Sequence, residues 1–114
     1  MRRLDITARA RRDTAAALRD SLRNFGPVAV DRYILLIEQA YADLCADPER
    51  PGARPDPEIS PDLRLYPLRL SRMRVPPEDR VGRPRHIVAF RFDGATVRIV
   101  RLLHDGMDLP RRLG

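Results

Sequence analysis

The sequence predicts an α+β fold: an N-terminal strand, then an α-helical hairpin packed on an antiparallel sheet of three to four strands. Three observations carry this. Residues 8–45 repeat apolar positions at helical spacing around a Gly26-Pro27 break, the five prolines from Pro48 to Pro61 end the helical part, and the second half alternates with the period of strands. A chain of 114 residues can bury one hydrophobic core but not two, so residues 1–114 read as a single domain.

Arg2 to Thr7 read as a short strand, after which the Thr7 hydroxyl is placed to accept a backbone N–H and open a helix from Ala8 to Asn24. In that helix Thr14, Ala17, Leu18, Ser21, Leu22 and Phe25 form a thin apolar stripe, with Arg12, Arg19 and Arg23 on the other side. Gly26 can end it, and Pro27, at a first helical position, starts the next helix without losing a needed N–H. In the second helix Tyr33, Leu36, Ile37, Ala40, Tyr41, Leu44 and Cys45 share one face, which is assigned to the core. The prolines that follow forbid helix and central strand alike and predict a rigid irregular connection.

Leu63, Leu65, Tyr66, Leu68 and Leu70 predict a strand running on toward Val75, with Pro67 marking an edge or bulge. Pro76, Pro77, Gly82 and Pro84 mark a second loop. Arg85–Phe92 and Ala95–Leu103 then read as a hairpin closed by a two-residue Asp93-Gly94 turn. Counting from that turn pairs Phe92 with Ala95, Phe90 with Val97 and Val88 with Ile99 on the helix-covered face. The opposite, exposed face receives Arg91 with Thr96, Ala89 with Arg98 and Ile87 with Val100.

All 22 basic residues are arginine, and the formal net charge is +6. Residues 1–23 hold seven Arg against three Asp, residues 24–63 three Arg against eight acids, and residues 64–114 twelve Arg against five acids. A cationic C-terminal half of this kind attracts an acidic protein segment or nucleic acid without choosing between them. No apolar run is long enough for a membrane span and no apolar segment follows the N-terminal arginines, so the expected compartment is the cytoplasm.

Metal binding is not expected, because His86 and His104 are the only histidines and neither has a ligand at i+4 or a nearby cysteine. Gly-rich phosphate loops and a nucleophile elbow are absent, so no cofactor is expected, and Cys45 lies on the apolar helix face as a core residue. RNA cleavage is the one enzymatic reading with substance, since it needs a general acid, a general base and cations for the phosphate. His104, Arg101, Tyr66 and Arg64 are its candidates, against a reading in which His104 ends the last strand and Tyr66 packs. Simple nucleic-acid binding has few stacking platforms, with three Tyr and three Phe mostly at core positions.

The run from Val97 to Leu113, with His104-Asp105-Gly106-Met107-Asp108 at its centre, resembles the end of the ParE branch of the RelE/ParE toxins of bacterial type II toxin–antitoxin systems. Ala10 to Asp13, Phe25-Gly26-Pro27, Asp31-Arg32-Tyr33 and Leu44 to Pro48 are similar to the family's helical hairpin, in the same order. The stretch Ser71 to Pro84 departs from it, being longer than a tight turn. The resemblance implies a RelE/ParE-like domain with a short C-terminal helix. It further implies a toxin held inactive by a cognate antitoxin, of ribbon-helix-helix type with an acidic C-terminal arm. The ParE branch is described as inhibiting DNA gyrase by direct binding, whereas the RelE branch cleaves mRNA on the ribosome; an inactive toxin-like binding partner is a third possibility. On this reading Arg101, His104, Arg111 and Arg112 contact the target, Arg91, Arg98, Ile87 and Val100 receive the antitoxin, and no sequence-specific DNA binding is expected of the toxin alone.

Overall fold

The computed structural model describes residues 1–56 and 60–105. Strand β1 (Arg3–Ile6) leads into helices α1 (Ala8–Phe25) and α2 (Pro27–Ala46), followed by strands β2 (Arg54–Asp56) and β3 (Ser60–Pro67). Two 3-10 turns, Leu68–Arg74 and Pro77–Asp79, connect to β4 (His86–Phe92) and β5 (Thr96–His104). The five strands form one sheet in the order β1-β5-β4-β3-β2, with β1 parallel to β5 and the other pairs antiparallel. The predicted α+β fold holds, with a correction to the strand count and to the purely antiparallel sheet. The expected short C-terminal helix lies outside the described residues.

Local chemistry sets the first half. The Thr7 Oγ1 accepts the Ala10 N–H at 3.1 Å and donates to the Val100 carbonyl at 2.9 Å, so one hydroxyl both caps α1 and ties it to β5. Gly26 adopts φ +90°, a left-handed value that favours glycine, and Pro27 opens α2 at once. On α2 the predicted face is buried through Leu36, Ile37, Ala40, Tyr41, Leu44 and Cys45. The α1 stripe needs correction, because Leu22 and Phe25 are exposed, Phe25 at 79%. Ala10 and Ala17 are the buried residues of α1, and Thr14 and Ser21 lie half-buried on the same side. Small side chains let a helix approach a sheet closely, so the packed face is the one with the smallest residues rather than the largest.

The proline-rich connection contains β2, which was expected to be irregular. Pro55 is tolerated there because β2 is an edge strand and its pairing with β3 shifts register at Pro55/Asp56. The strand expected to run from Leu63 to Val75 ends at Pro67. Beyond it Leu68 and Ser71, three residues apart, turn inward from a 3-10 turn, the spacing at which side chains eclipse in that geometry.

The β4–β5 register also differs from expectation. The Asp93 carboxylate accepts the N–H groups of Ala95 and Thr96, both at 2.8 Å, the connection spans the three residues Asp93 to Ala95, and Phe92 pairs with Val97. The same two hydrogen bonds hold the Asp93 carboxyl below the usual carboxylate range. A shift of two residues keeps the faces, so Phe90, Val88, Val97 and Ile99 all enter the core as predicted. Between Ala89 and Phe90 the pairing then jumps from Ile99 to Arg101, leaving Val100 as the extra residue of a bulge. After the bulge Leu102 joins the main core, while Leu103 packs with Leu63 and Ala89 in a second, smaller cluster. Ala89, expected on an exposed face, is therefore buried.

Candidate functional site

The C-terminal end of β5, which carries the predicted residues Arg101 and His104, is positioned by the bulge. With the loop and the bulge together, His86 lies opposite His104. Their rings meet edge to face at 5.4 Å, and the Tyr33 ring meets His86 in the same way. The Tyr33 hydroxyl lies 2.5 Å from His86 Nδ1. Burial pushes the Tyr33 hydroxyl up to about 12 and His86 down to about 4, where His104 adds to the effect and Asp105, Asp20 and Asp13 oppose it. The Tyr33 hydroxyl and the neutral His86 ring share this hydrogen bond, and which of the two donates follows from the His86 tautomer. Asp105 closes the cluster, 3.3 Å from the Arg85 guanidinium and 3.5 Å from His104 Nδ1.

A neutral His86 makes stability depend on pH with a definite sign. Its folded pKa of about 4 lies below the ordinary value of 6.5, so between these limits the unfolded chain binds a proton that the folded chain does not. Stability is thus lost as pH falls from 6.5 toward 4. Thermal melts of the wild type and of His86→Gln across that range should diverge, the wild type losing more, whereas parallel profiles would contradict the assignment.

Arg101 sits one step back from this cluster. Its guanidinium donates to both carboxylate oxygens of Asp13 on α1, at 2.7 and 3.2 Å, and the same carboxylate accepts the Leu102 N–H at 3.0 Å. The residue is only 8% exposed. His104 stays at the surface edge of the cluster, its side chain 43% exposed. Arg111 and Arg112 lie outside the described residues.

The four residues proposed for RNA cleavage do not assemble. Tyr66 is completely buried, its hydroxyl hydrogen-bonded to Ser71 Oγ at 2.8 Å, and Ser71 donates to Asp43 at 2.7 Å. Arg64 lies over the Phe92 ring and donates to the Ala53 carbonyl. It is on β3, with β4 between it and Arg101, a separation of about 10 Å from the spacing of strands. Among the described residues no group of three or more His, Cys, Asp or Glu is placed to hold a metal ion. Burial raises the Cys45 thiol pKa, which disfavours its nucleophilic thiolate.

The residues assigned to an outer sheet face do share it. Arg91 stands directly opposite Arg98, and Ile87 and Val100 lie half-buried on the same side. The predicted pairs of Arg91 with Thr96, Ala89 with Arg98 and Ile87 with Val100 are replaced by Arg91 with Arg98, Ala89 with Arg101 and Ile87 with Leu103. The two facing guanidiniums are neutralised within the chain, Arg91 by Asp62 at 3.0 Å and Arg98 by Asp5 at 2.7 Å.

Two features went unnoticed in the sequence. One is the Tyr33–His86–His104 cluster. The other is a groove of about 680 Å³ between β1, α1 and α2, lined by Leu4, Ile6, Leu18, Ile34, Ile37 and Tyr41 among others. The Tyr41 hydroxyl is buried beside Thr14 without a well-aligned hydrogen bond, and Thr14 donates to the Ala10 carbonyl. No described helix is long and apolar enough to cross a membrane.

A helical hairpin on one face of a five-stranded mixed sheet, with a basic strand end tied back to the first helix, defines a small α+β domain. Residues 4–109 match the family described as ParE toxin of type II toxin-antitoxin system, parDE. Among solved structures the chain is similar to one from the chromosomal ParDE toxin–antitoxin system of P. aeruginosa, with 19% identity and a TM-score of 0.68, over 91% of this chain and 96% of that one. No curated protein matches it. The chain belongs to the ParE toxin family of type II toxin–antitoxin systems.

Proposed function

We propose that this protein is a toxin that inhibits DNA gyrase by direct binding and is neutralised by a cognate antitoxin. The observation that carries the reading is the family match over residues 4–109, and gyrase inhibition is the activity the ParE branch is described as having. A binding mode rather than RNA chemistry agrees with Tyr66 buried against Ser71 and with Arg101 engaged by Asp13, since general acid–base catalysis needs groups within reach of substrate. Target contact is assigned to Arg101, His104, Arg111 and Arg112.

An antitoxin partner fits the distribution of apolar surface. Of the seven large hydrophobic residues that are exposed among the described residues, six (Met1, Leu4, Leu22, Phe25, Val28 and Leu35) fall in the first 35 residues, and two of these, Met1 and Leu4, line the groove. A largely apolar groove with exposed apolar residues at its rim suits a partner segment. On the sheet, Arg91, Arg98, Ile87 and Val100 offer a second contact, at which an acidic arm would have to compete with Asp62 and Asp5. Gyrase supercoiling and translation, each measured with toxin alone and with the product of the adjacent reading frame, test the proposal. Loss of supercoiling that the partner reverses, with translation intact, is the expected result. Cleaved message with normal supercoiling would assign the protein to the mRNA-cleaving branch, and no effect in either assay would leave it a toxin-like binding partner.

A further inference from the structure

Helix α1 carries a second basic surface, separate from the end of β5. At the roughly 100° per residue of an α-helix, Arg9, Arg12, Arg19 and Arg23 fall within about 80° of one another and extend over about 21 Å of helix. This stripe is turned away from the packed face marked by Ala10 and Ala17. All four arginines are exposed, and none makes a hydrogen bond or ion pair among the described residues. Elsewhere exposed arginines without a carboxylate partner, such as Arg54, Arg69 and Arg83, are scattered over separate segments rather than aligned on one helix face. Arg74, Arg85, Arg91 and Arg98 each have a carboxylate within 3.3 Å. On α1 the acids do not serve this purpose. Asp13 is committed to Arg101 and to the Leu102 N–H, which leaves only Asp20 at the flank of the stripe.

We propose that the Arg9, Arg12, Arg19 and Arg23 face of α1 binds the phosphate backbone of duplex DNA without sequence preference. The stripe contains no apolar side chain larger than Ala16, which sits at its centre. A protein partner needs buried apolar anchors for affinity, and the stripe provides none. A phosphate backbone needs only spaced cations, because its binding is driven by release of condensed counterions, and the guanidinium fork suits phosphate oxygens. A small residue at the centre lets the helix backbone come close to the duplex. This surface goes beyond the gyrase reading and requires neither gyrase nor antitoxin, so either can fail without the other.

Anisotropy of a short fluorescent duplex titrated with the full-length protein tests it, over a salt series from about 50 to about 200 mM. Four phosphate contacts predict a slope of log K against log salt of about −3 to −4. The variant Arg12→Gln/Arg19→Gln/Arg23→Gln should reduce the magnitude of that slope by about 3 and weaken binding at low salt by at least about tenfold. Its far-ultraviolet dichroism and Tm should match the wild type, since these side chains make no polar contacts within the fold. The control Arg54→Gln/Arg69→Gln/Arg83→Gln removes the same charge from exposed sites elsewhere and should keep the slope. An equal loss in both triple variants would reduce the effect to net charge and overturn the proposal. So would an unchanged slope in the α1 variant, absence of binding at low salt, or tighter binding to a poly-glutamate peptide than to the duplex. If the triple variant fails to fold, Arg19→Glu alone should lower the slope and weaken binding, and an unchanged titration for it would likewise count against the stripe.

Discussion

Asp43→Ala is expected to cost the protein about 3–5 kcal/mol of stability, the cost of removing one partner from a buried ionic cluster. Asp43 is 2% exposed, on the inner face of α2. Its carboxylate accepts from Arg74 Nε at 2.7 Å, Ser71 Oγ at 2.7 Å and Gln39 Nε2 at 2.8 Å, with the Arg50 guanidinium at 3.5 Å. Through Ser71 the cluster reaches the buried Tyr66 hydroxyl. The carboxylate thus ties α2 to β3 and to the 3-10 turn at Leu68–Arg74, a segment otherwise held to the core through Leu68 and Leu70. Removing it leaves a buried hydroxyl pair without its acceptor and brings two guanidiniums together without a counter-charge. A domain of this size has about 5–15 kcal/mol in total, so the variant should be close to unfolding at ambient temperature. Urea denaturation checks this through a lower midpoint at an unchanged slope. Arg74→Ala should cost less, because that side chain is 59% exposed and its ion pair is partly screened. A loss below about 1 kcal/mol for Asp43→Ala would show that water replaces the lost carboxylate.

Much of the first half of the fold was legible because its determinants are local. Gly26 and Pro27 mark the turn between the helices, Thr7 caps α1 within three residues, and the α2 core face follows from spacing alone. What stayed hidden depends on partners far apart in sequence. Nothing near Arg3 announces a parallel pairing with Thr96, and nothing near Asp43 announces Arg74. The register of β4 on β5 is the clearest case. The two-residue turn would have set His86 opposite Arg101, whereas the Asp93 side chain lengthens the loop and the bulge at Val100 adds one residue more, bringing His104 there instead. A signal for the bulge was present: the buried positions Val97 and Ile99 alternate, and then Leu102 breaks the alternation. The apolar stripe of α1 differs for another reason: close approach to the sheet selects the smallest side chains, Ala10 and Ala17, and leaves Leu22 and Phe25 outside.

Arg101→Met is expected to destabilise the protein by about 3 kcal/mol, and Asp13→Asn/Arg101→Met to recover most of that loss. The single variant leaves the Asp13 carboxylate, its side chain 18% exposed, without the guanidinium that chelates it. A poorly hydrated charge stripped of its partner accounts for the cost, and replacing both members with neutral groups removes it. In the double variant the amide oxygen that replaces the Asp13 carboxylate can still accept the Leu102 N–H, so the tie between α1 and the end of β5 survives. The pair of variants therefore separates the two roles that Arg101 could have. If Arg101 acts by holding His104 and the strand end in place, the double variant should regain gyrase inhibition together with stability. If the guanidinium itself touches the target, stability should return while inhibition stays lost. The burial of Arg101 and its bidentate bond to Asp13 favour the first outcome. Thermal melts and supercoiling assays on the same preparations decide it. A stable double variant that fails to inhibit would place Arg101 in direct contact with the target.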